Sequence, residues 1–222
     1  MTAVQYFKAV RPDGTDFRTG TIDYGAALLS GDVVRHPSVK QRIGDAGTYL
    51  SVSTSATDCT GFRWPCRLLV VKPVGRALKA RADYPNKRRL SALRVVGELP
   101  AYEVFGPQGE AVVALIVRAG RLTLSEGKRL EAAWYSVKDS VRDERYAERD
   151  TAWGSAWVSR LAAGGAAWHT AGDTAWTARG CTRSTWYAAK YAALALVVRD
   201  LISVEHFNAL YGPWASVIDD PS

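Results

Sequence analysis

Histidine, cysteine and methionine are all scarce in this chain, numbering three, three and one among 222 residues. His36, His169 and His206 share no ligand-like spacing with one another or with Cys59, Cys66 and Cys181. A structural zinc needs four such donors to converge, usually announced by close pairs, so no metal is expected. An odd cysteine count without a C-x-x-C pair gives no disulfide framework either, and the thiols read as those of a reducing compartment. Neither Gly-x-Gly-x-x-Gly nor a Walker loop occurs, which removes the two commonest glycine-rich phosphate cradles. No histidine adjoins the hydroxyls at Ser51, Ser53, Thr54 and Ser55, so a Ser–His–acid hydrolase has no support. Long apolar runs are missing as well. The stretch Tyr191–Val198 is far below the roughly 20 residues of a membrane span, and Met1 to Pro12 lacks a signal-peptide h-region. A soluble, cytoplasmic protein without membrane association is the expectation.

What is present is unevenly divided. Residues 1–120 hold 17 Lys/Arg against 10 Asp/Glu, whereas residues 121–222 hold 12 of each. Seven of the eight tryptophans lie in the neutral half, leaving only Trp64 in the basic one. A charged working surface and a packing scaffold separate in this way.

Local patterns agree with that division. Val4–Val10, Thr48–Thr54, Arg67–Val71, Leu93–Val96, Tyr102–Phe105 and Val112–Val117 read as short strands, rich in β-branched and aromatic residues. Pro12-Asp13-Gly14 is a turn, and Gly106-Pro-Gln-Gly109 reads as a hairpin loop. Short helices are expected within 24–43 and 54–62. Past Gly120 the period changes. Thr123-Leu-Ser-Glu126 has the form of a capping box, and Leu130, Trp134, Val137 and Val141 recur at helical intervals. Gly164-Gly165 and Gly180 are read as breaks between at least three alanine-rich helices. Asp-Thr-Ala-Trp at 150–153 returns at 173–176, an echo suggesting repeated helices. Ser203 is placed as the cap of a last helix that Gly212-Pro213 stops. Trp153, Trp157, Trp168, Trp176 and Trp186 are expected to fill gaps between these helices rather than to stack a ligand. The fold class that results is α+β: a mixed, mostly antiparallel sheet domain over residues 1–120, then an Ala/Trp-rich helical domain over 121–222.

The basic excess is concentrated. Residues 63–94 contain ten Lys/Arg and one acid, Asp83. Affinity for a phosphate backbone comes largely from such local excess. Lys79, Arg81, Lys87, Arg88 and Arg89 are the expected contacts for a nucleic acid, with Trp64 and Tyr84 as stacking partners.

One segment suggests chemistry. Gly47-Thr-Tyr49-Leu-Ser-Val-Ser53-Thr-Ser-Ala56 resembles the central motif of the ADP-ribosyltransferases, which carry a Gly-x-Tyr strand in one branch and a Ser-Thr-Ser in another. The resemblance covers about residues 5–118 and implies NAD as substrate. On that likeness Tyr49 would stack on nicotinamide, Ser53 would bond the pocket wall and Arg11 would hold the diphosphate. Glu103 would be the catalytic glutamate, bonding the ribose and favouring the oxocarbenium-like state, with Glu98 as its rival. The chain also resembles a group of phage and bacterial proteins through Phe7-Lys-Ala, Gly47 and Lys87-Arg-Arg-Leu-Ser91. Its Val-Val-Arg-Asp-Leu-Ile202 and Tyr-Gly-Pro-Trp214 are similar to actinobacterial and actinophage tails. Two functional expectations result: NAD-dependent ADP-ribosylation of a nucleic acid or protein acceptor, and non-enzymatic binding of nucleic acid or a host protein through residues 63–94.

Overall fold

Tyr6–Val10 forms strand β1, with Tyr6 and Val10 buried at its ends. The computed structural model describes residues 5–37, 49–79, 86–147 and 153–219. After β1 the chain turns at Pro12-Asp13-Gly14, where the Asp13 carboxylate accepts from both the amide (2.9 Å) and the hydroxyl (2.7 Å) of Thr15. Gly14 has φ 91°, and a Cβ there would come within 2.7 Å of the Gly25 Cα, so backbone conformation and close approach both require glycine. Helix α1 (Tyr24–Ser30) begins at Asp23, whose side chain accepts from the Ala26 amide at 2.8 Å.

Among the described residues six more strands join the sheet: β2 (Val33–Arg35), β3 (Leu50–Ser53), β4 (Arg67–Pro73), β5 (Leu78–Lys79), β6 (Lys87–Leu90) and β7 (Ala92–Leu99). Their order is β2-β7-β4-β1-β3-β6-β5 and every pairing is antiparallel. Period-two alternation sends Leu50 and Val52 of β3, Leu69 and Val71 of β4 and Leu93 and Val95 of β7 into one core, where they meet Val10 and, from α1, Tyr24 and Ala27.

The structure corrects several expectations. The short helix expected within 24–43 does form, as Tyr24–Ser30, and strand β2 follows it, while residues 38–48 lie outside those described. Residues 54–62 make turns and no helix. Tyr102–Phe105 belongs to a 3₁₀ turn, Ala101–Phe105. Val112–Val117 lies within helix α2 (Gly109–Ala119), so Gly106–Gly109 leads into a helix and closes no hairpin. The reason is visible in burial: Val112, Leu115, Ile116 and Ala119 are all buried, a spacing of three, four and seven. That helical period overrides the β-branched composition. The chain divides between Val104 and Phe105 into two compact units, earlier than the boundary expected near 120, because α2 belongs with the helices.

The second unit contains α2, α3 (Leu124–Ala147), α4 (Trp153–Trp176), α5 (Arg183–Val197) and α6 (Val204–Trp214), closed by a π-helical turn, Ala215–Asp219. The capping box forms as read: the Glu126 amide bonds Thr123 Oγ1, and Glu126 Oε2 accepts from the Thr123 amide. Helix α5 packs against α2, α3, α4 and α6. Its Ala188, Ala189, Ala192, Ala193 and Ala195 are all buried, and their small size lets neighbouring backbones approach. Gly180 does separate α4 from α5, but Gly164 and Gly165 lie inside α4. A Cβ on Gly164 would come within 3.0 Å of Leu194 Cδ1, so this glycine provides close helix contact rather than a break. Trp153, which ends one Asp-Thr-Ala-Trp copy, opens α4, and Trp176 of the other copy closes the same helix, so the echo marks no repeat of helices. Ser203 caps α6, accepting from the His206 amide at 3.2 Å. Pro213 sits inside the last turn of α6 instead of stopping it, and the wider π turn follows directly.

The tryptophans are only partly core. Trp134 and Trp214 are buried and Trp168 and Trp186 are half-buried, whereas Trp176 is 63 % exposed and fills no gap. Trp134, Trp168, Trp186, Tyr187 and Tyr191 make one aromatic cluster, with Trp134 stacked on Tyr191 at 5.0 Å and Trp168 edge-on to it at 4.5 Å. The side chains of Trp153 and Trp157 lie outside the described set. No described helix is long and apolar enough to cross a membrane.

Candidate functional site: the sheet seam and its basic rim

Strand β1 pairs with β4 along its whole length but with β3 at one position only, Phe7 opposite Ser53. The sheet is therefore two ladders, β2-β7-β4-β1 and β3-β6-β5, latched at a single pair. Continuing that register would set Ala9 opposite Ser51 and Arg11 opposite Tyr49. The ladder does not continue. The Ser51 carbonyl instead accepts a hydrogen bond from Lys8 Nζ at 3.1 Å, and the same ammonium lies 4.8 Å from the Tyr24 ring centroid. Burial above all, helped by the nearby Lys87 ammonium and opposed by Cys59 and Asp16, pulls the Lys8 amine down to about 8.

Arg11 follows β1 at the end of this seam. Its Nη2 donates to the Phe17 carbonyl at 3.2 Å, and a Cβ on Gly20 would come within 2.7 Å of Nη1, so the loop holds the guanidinium closely. An open depression of about 580 Å³ is lined by Arg11, Pro12, Asp13, Phe17, Gly61 and Arg63. The loop owes its shape to Asp16, which accepts from the Thr19, Thr21 and Ile22 amides and the Thr19 hydroxyl. Burial by itself would raise the Asp16 carboxyl, but these donors hold it well below the ordinary carboxylate range.

Tyr49 precedes β3, so the antiparallel arrangement puts it at the same end of the sheet as Arg11. The Arg89 guanidinium sits 5.6 Å from its ring centroid. Ser53 is at the other end: it pairs with Phe7, four residues before Arg11, or roughly 13 Å along the strand. It is 1 % exposed, accepts from Lys87 Nζ at 2.7 Å and donates to the Asp58 carbonyl at 3.0 Å. The structure thus brings Arg11 and Tyr49 to one end and sets Ser53 apart from them.

The two acids differ sharply. Glu98, on β7 beside Leu69, forms a two-pronged bond with Arg67 of β4, at 2.9 Å from Nε and 2.6 Å from Nη2. That bond holds the Glu98 carboxyl below its usual value. Glu103 lies on the 3₁₀ turn just past β7, partly exposed, and its amide bonds the Pro100 carbonyl. The strand expected to carry it is absent, so its place is fixed by a turn rather than by a ladder.

The basic residues are more engaged than a solvated patch would be. Lys87 turns toward Ser53, Arg88 Nη1 donates to the Lys87 carbonyl at 2.7 Å, and Arg89 covers Tyr49. Lys79 pairs with Arg88 across β5 and β6, though its side chain, like all of Arg81 and Tyr84, lies outside the described residues.

Lys8 and the Lys87–Ser53 bond escaped sequence reasoning. A signal for Lys8 existed, because it alternates with Tyr6 and Val10 and so occupies a position that period two assigns to the core. Comparison with family models, with curated proteins and with solved structures finds no match to this chain.

Proposed function

We propose that the N-terminal unit binds NAD at the Arg11 end of the seam and transfers ADP-ribose to a nucleic acid or protein acceptor. The observation that carries the reading is the depression shared by Arg11 and Arg63 at the end of β1, beyond the one latched pair of β1 and β3. Guanidinium forks match the oxygens of a diphosphate, and Phe17 gives the same depression an apolar wall. Tyr49 at that end of the sheet supplies a ring for nicotinamide. Glu103, outside the ion pair that occupies Glu98, is the acid for the ribose. Ser53, buried and bonded to Lys87, acts in this reading by fixing strand β3 rather than by touching the ligand.

The test is nicotinamide release from NAD by the whole protein, with and without DNA, RNA and a cell lysate, alongside calorimetric titration of NAD. Release and binding that both fall in Arg11→Ala, with release alone falling in Glu103→Gln, are the expected result. Absence of NAD binding by the folded protein would overturn the reading.

A second reading is favoured by the Arg89–Tyr49 pair. A ring with a cation on its face is a platform for an unpaired base. Nucleic acid binding that weakens steeply with salt, and is lost in a Lys87/Arg88/Arg89→Ala triple variant, is its signature.

A further inference from the structure

The sheet has one face turned to the core under α1, and the register fixes what lies on the other. Val10, Val52, Val71 and Val95 point into that core, so Phe7, Ser53, Val70 and Lys72 point away from it. The pairings Gly97–Val70, Val70–Phe7, Phe7–Ser53 and Ser53–Lys87 draw one line across five strands on this outer face. A second line, Val33–Arg94–Lys72, runs beside it about 7 Å away. The first line is open in its middle. A Cβ on Gly97 would meet no described atom within 4 Å, and Val96, the extra residue of the β7 bulge, is 40 % exposed. Phe7 and Val70 are half-buried. In the described strands the charged residues on this face are Arg35, Lys72, Lys87, Arg89 and Arg94, all cations. The one acid of those strands, Glu98, pairs with Leu69 and so falls on the core side, where Arg67 holds it. Lys87 closes the apolar line at Ser53, and the Gly31 carbonyl holds Arg94 beside it.

We propose that this open face docks a single-stranded nucleic acid, with bases laid on Phe7, Val70 and Val96 and phosphates met by Lys72 and Arg94. The inference rests on the nucleic-acid reading above for its partner, and moves the contact from the Arg89–Tyr49 end to the middle of the sheet. Its apolar centre selects the partner. A duplex offers a sheet face mainly phosphates, whereas unpaired bases offer π faces that stack on a ring. Gly97 serves the same end, because a strand glycine lets a flat ligand approach the backbone. The all-cationic charge of the face complements the phosphates and supplies an affinity that falls with salt.

The experiment follows the fluorescence anisotropy of labelled oligothymidylate and oligouridylate on the whole protein, without NAD, over a range of salt. A duplex and an abasic strand of the same length give the comparisons. Either single strand is expected to bind about tenfold or more tighter than the abasic strand, and tighter than the duplex. Both ratios are read in the unaltered protein and depend on no variant's folding. Phe7→Leu, which keeps apolar bulk and loses the ring, is expected to weaken binding about tenfold. Gly97→Glu puts an acid into open space on this face and is expected to weaken binding by at least about tenfold with the melting temperature kept. The double variant Lys72→Gln, Arg94→Gln should flatten the logarithmic salt slope by about 1.4, the share of two phosphates. Equal binding of abasic and normal strands, or binding of phosphatidylserine vesicles in place of oligonucleotides, would overturn the proposal. Binding that ignores Gly97→Glu and the Lys72/Arg94 variant, yet is lost in the Lys87/Arg88/Arg89 variant, would overturn this dock and leave the nucleic-acid reading standing. No binding of any single strand would overturn both.

Discussion

The Lys190 ammonium lies 3.3 Å from the centroid of the Trp186 ring and 5.2 Å from that of Trp168, in a residue only 3 % exposed. Two indole faces thus stand where water would be. Burial lowers the Lys190 amine from its ordinary value, with Asp173 opposing. A desolvated cation–π contact is worth about 2 kcal/mol, whereas a buried charge can be exchanged for an apolar chain at little cost. Trp186→Ala is therefore expected to destabilise the protein by about 3 kcal/mol, and Lys190→Met by under about 1.5 kcal/mol. Urea unfolding of the two variants checks the order.

Gly127 and Gly180 touch through their backbones. A Cβ on Gly127 would overlap the Gly180 carbonyl, and one on Gly180 would overlap the Thr123 carbonyl. Neither obstacle is the end of a flexible side chain. Gly127→Ala is expected to cost about 3 kcal/mol despite the gain in helix propensity. A melting temperature equal to that of the unaltered protein would show that the turn before α5 yields.

Asp16 holds the first loop by accepting from three amides and one hydroxyl. In Asp16→Asn one oxygen becomes a donor and faces amides that also donate, so a loss of about 2 kcal/mol is expected. The pH dependence has a definite sign. The folded carboxyl titrates below the unfolded value of 3.8, so its contribution is complete above that value and is lost as pH falls beneath it. The difference between unaltered and Asn proteins should shrink in that acid range and nowhere else.

Lys8 gives the opposite behaviour. Its folded value of about 8 lies below the unfolded 10.5, so the unfolded chain binds more protons between those two values. The cost of burying the charge is greatest below about pH 8 and falls as pH rises toward 10.5. The stability of the unaltered protein relative to Lys8→Met should rise over that window. A flat difference would mean that the amine is better solvated than its surroundings imply.

The ADP-ribosyl transfer proposed above assigns Glu98 and Glu103 different effects on activity. Glu98→Gln loses one prong of a partly exposed ion pair and should cost about 0.5 kcal/mol of stability, leaving nicotinamide release within about twofold. Glu103→Gln should leave stability unchanged and lower release by about a hundredfold or more. Reversed effects would transfer the catalytic role to Glu98.

Much of the fold was legible because its signals are local. The Pro12-Asp13-Gly14 turn, the Thr123–Glu126 capping box and the Ser203 cap depend on side chains bonding backbone within three residues. Strands β1, β3, β4 and β7 arise from alternation that burial enforces. What failed were judgements that composition alone supported. Val112–Val117 is β-branched yet buries a helical stripe, and Gly164 looks like a breaker yet admits Leu194. That Arg11 and Tyr49 lie toward the same end of the sheet was legible, because antiparallel neighbours bring the end of one strand to the start of the other. The separation of Ser53 from them was not, since it depends on which residue of β3 meets Phe7, and register is written in no single strand.

A sheet latched at one residue pair has unequal resistance to opening along its width. Every other line between strands is held by at least two pairs, and most by three or more. The Phe7–Ser53 line is where thermal fluctuation separates the fewest bonds. Strands β3, β6 and β5 therefore form a unit that loosens before the rest, with amides at 50–53 and 87–90 exchanging with solvent ahead of those at 67–73 and 92–99. The Lys8 side chain, spanning that line to the Ser51 carbonyl, is a clasp laid across the weakest seam of the sheet.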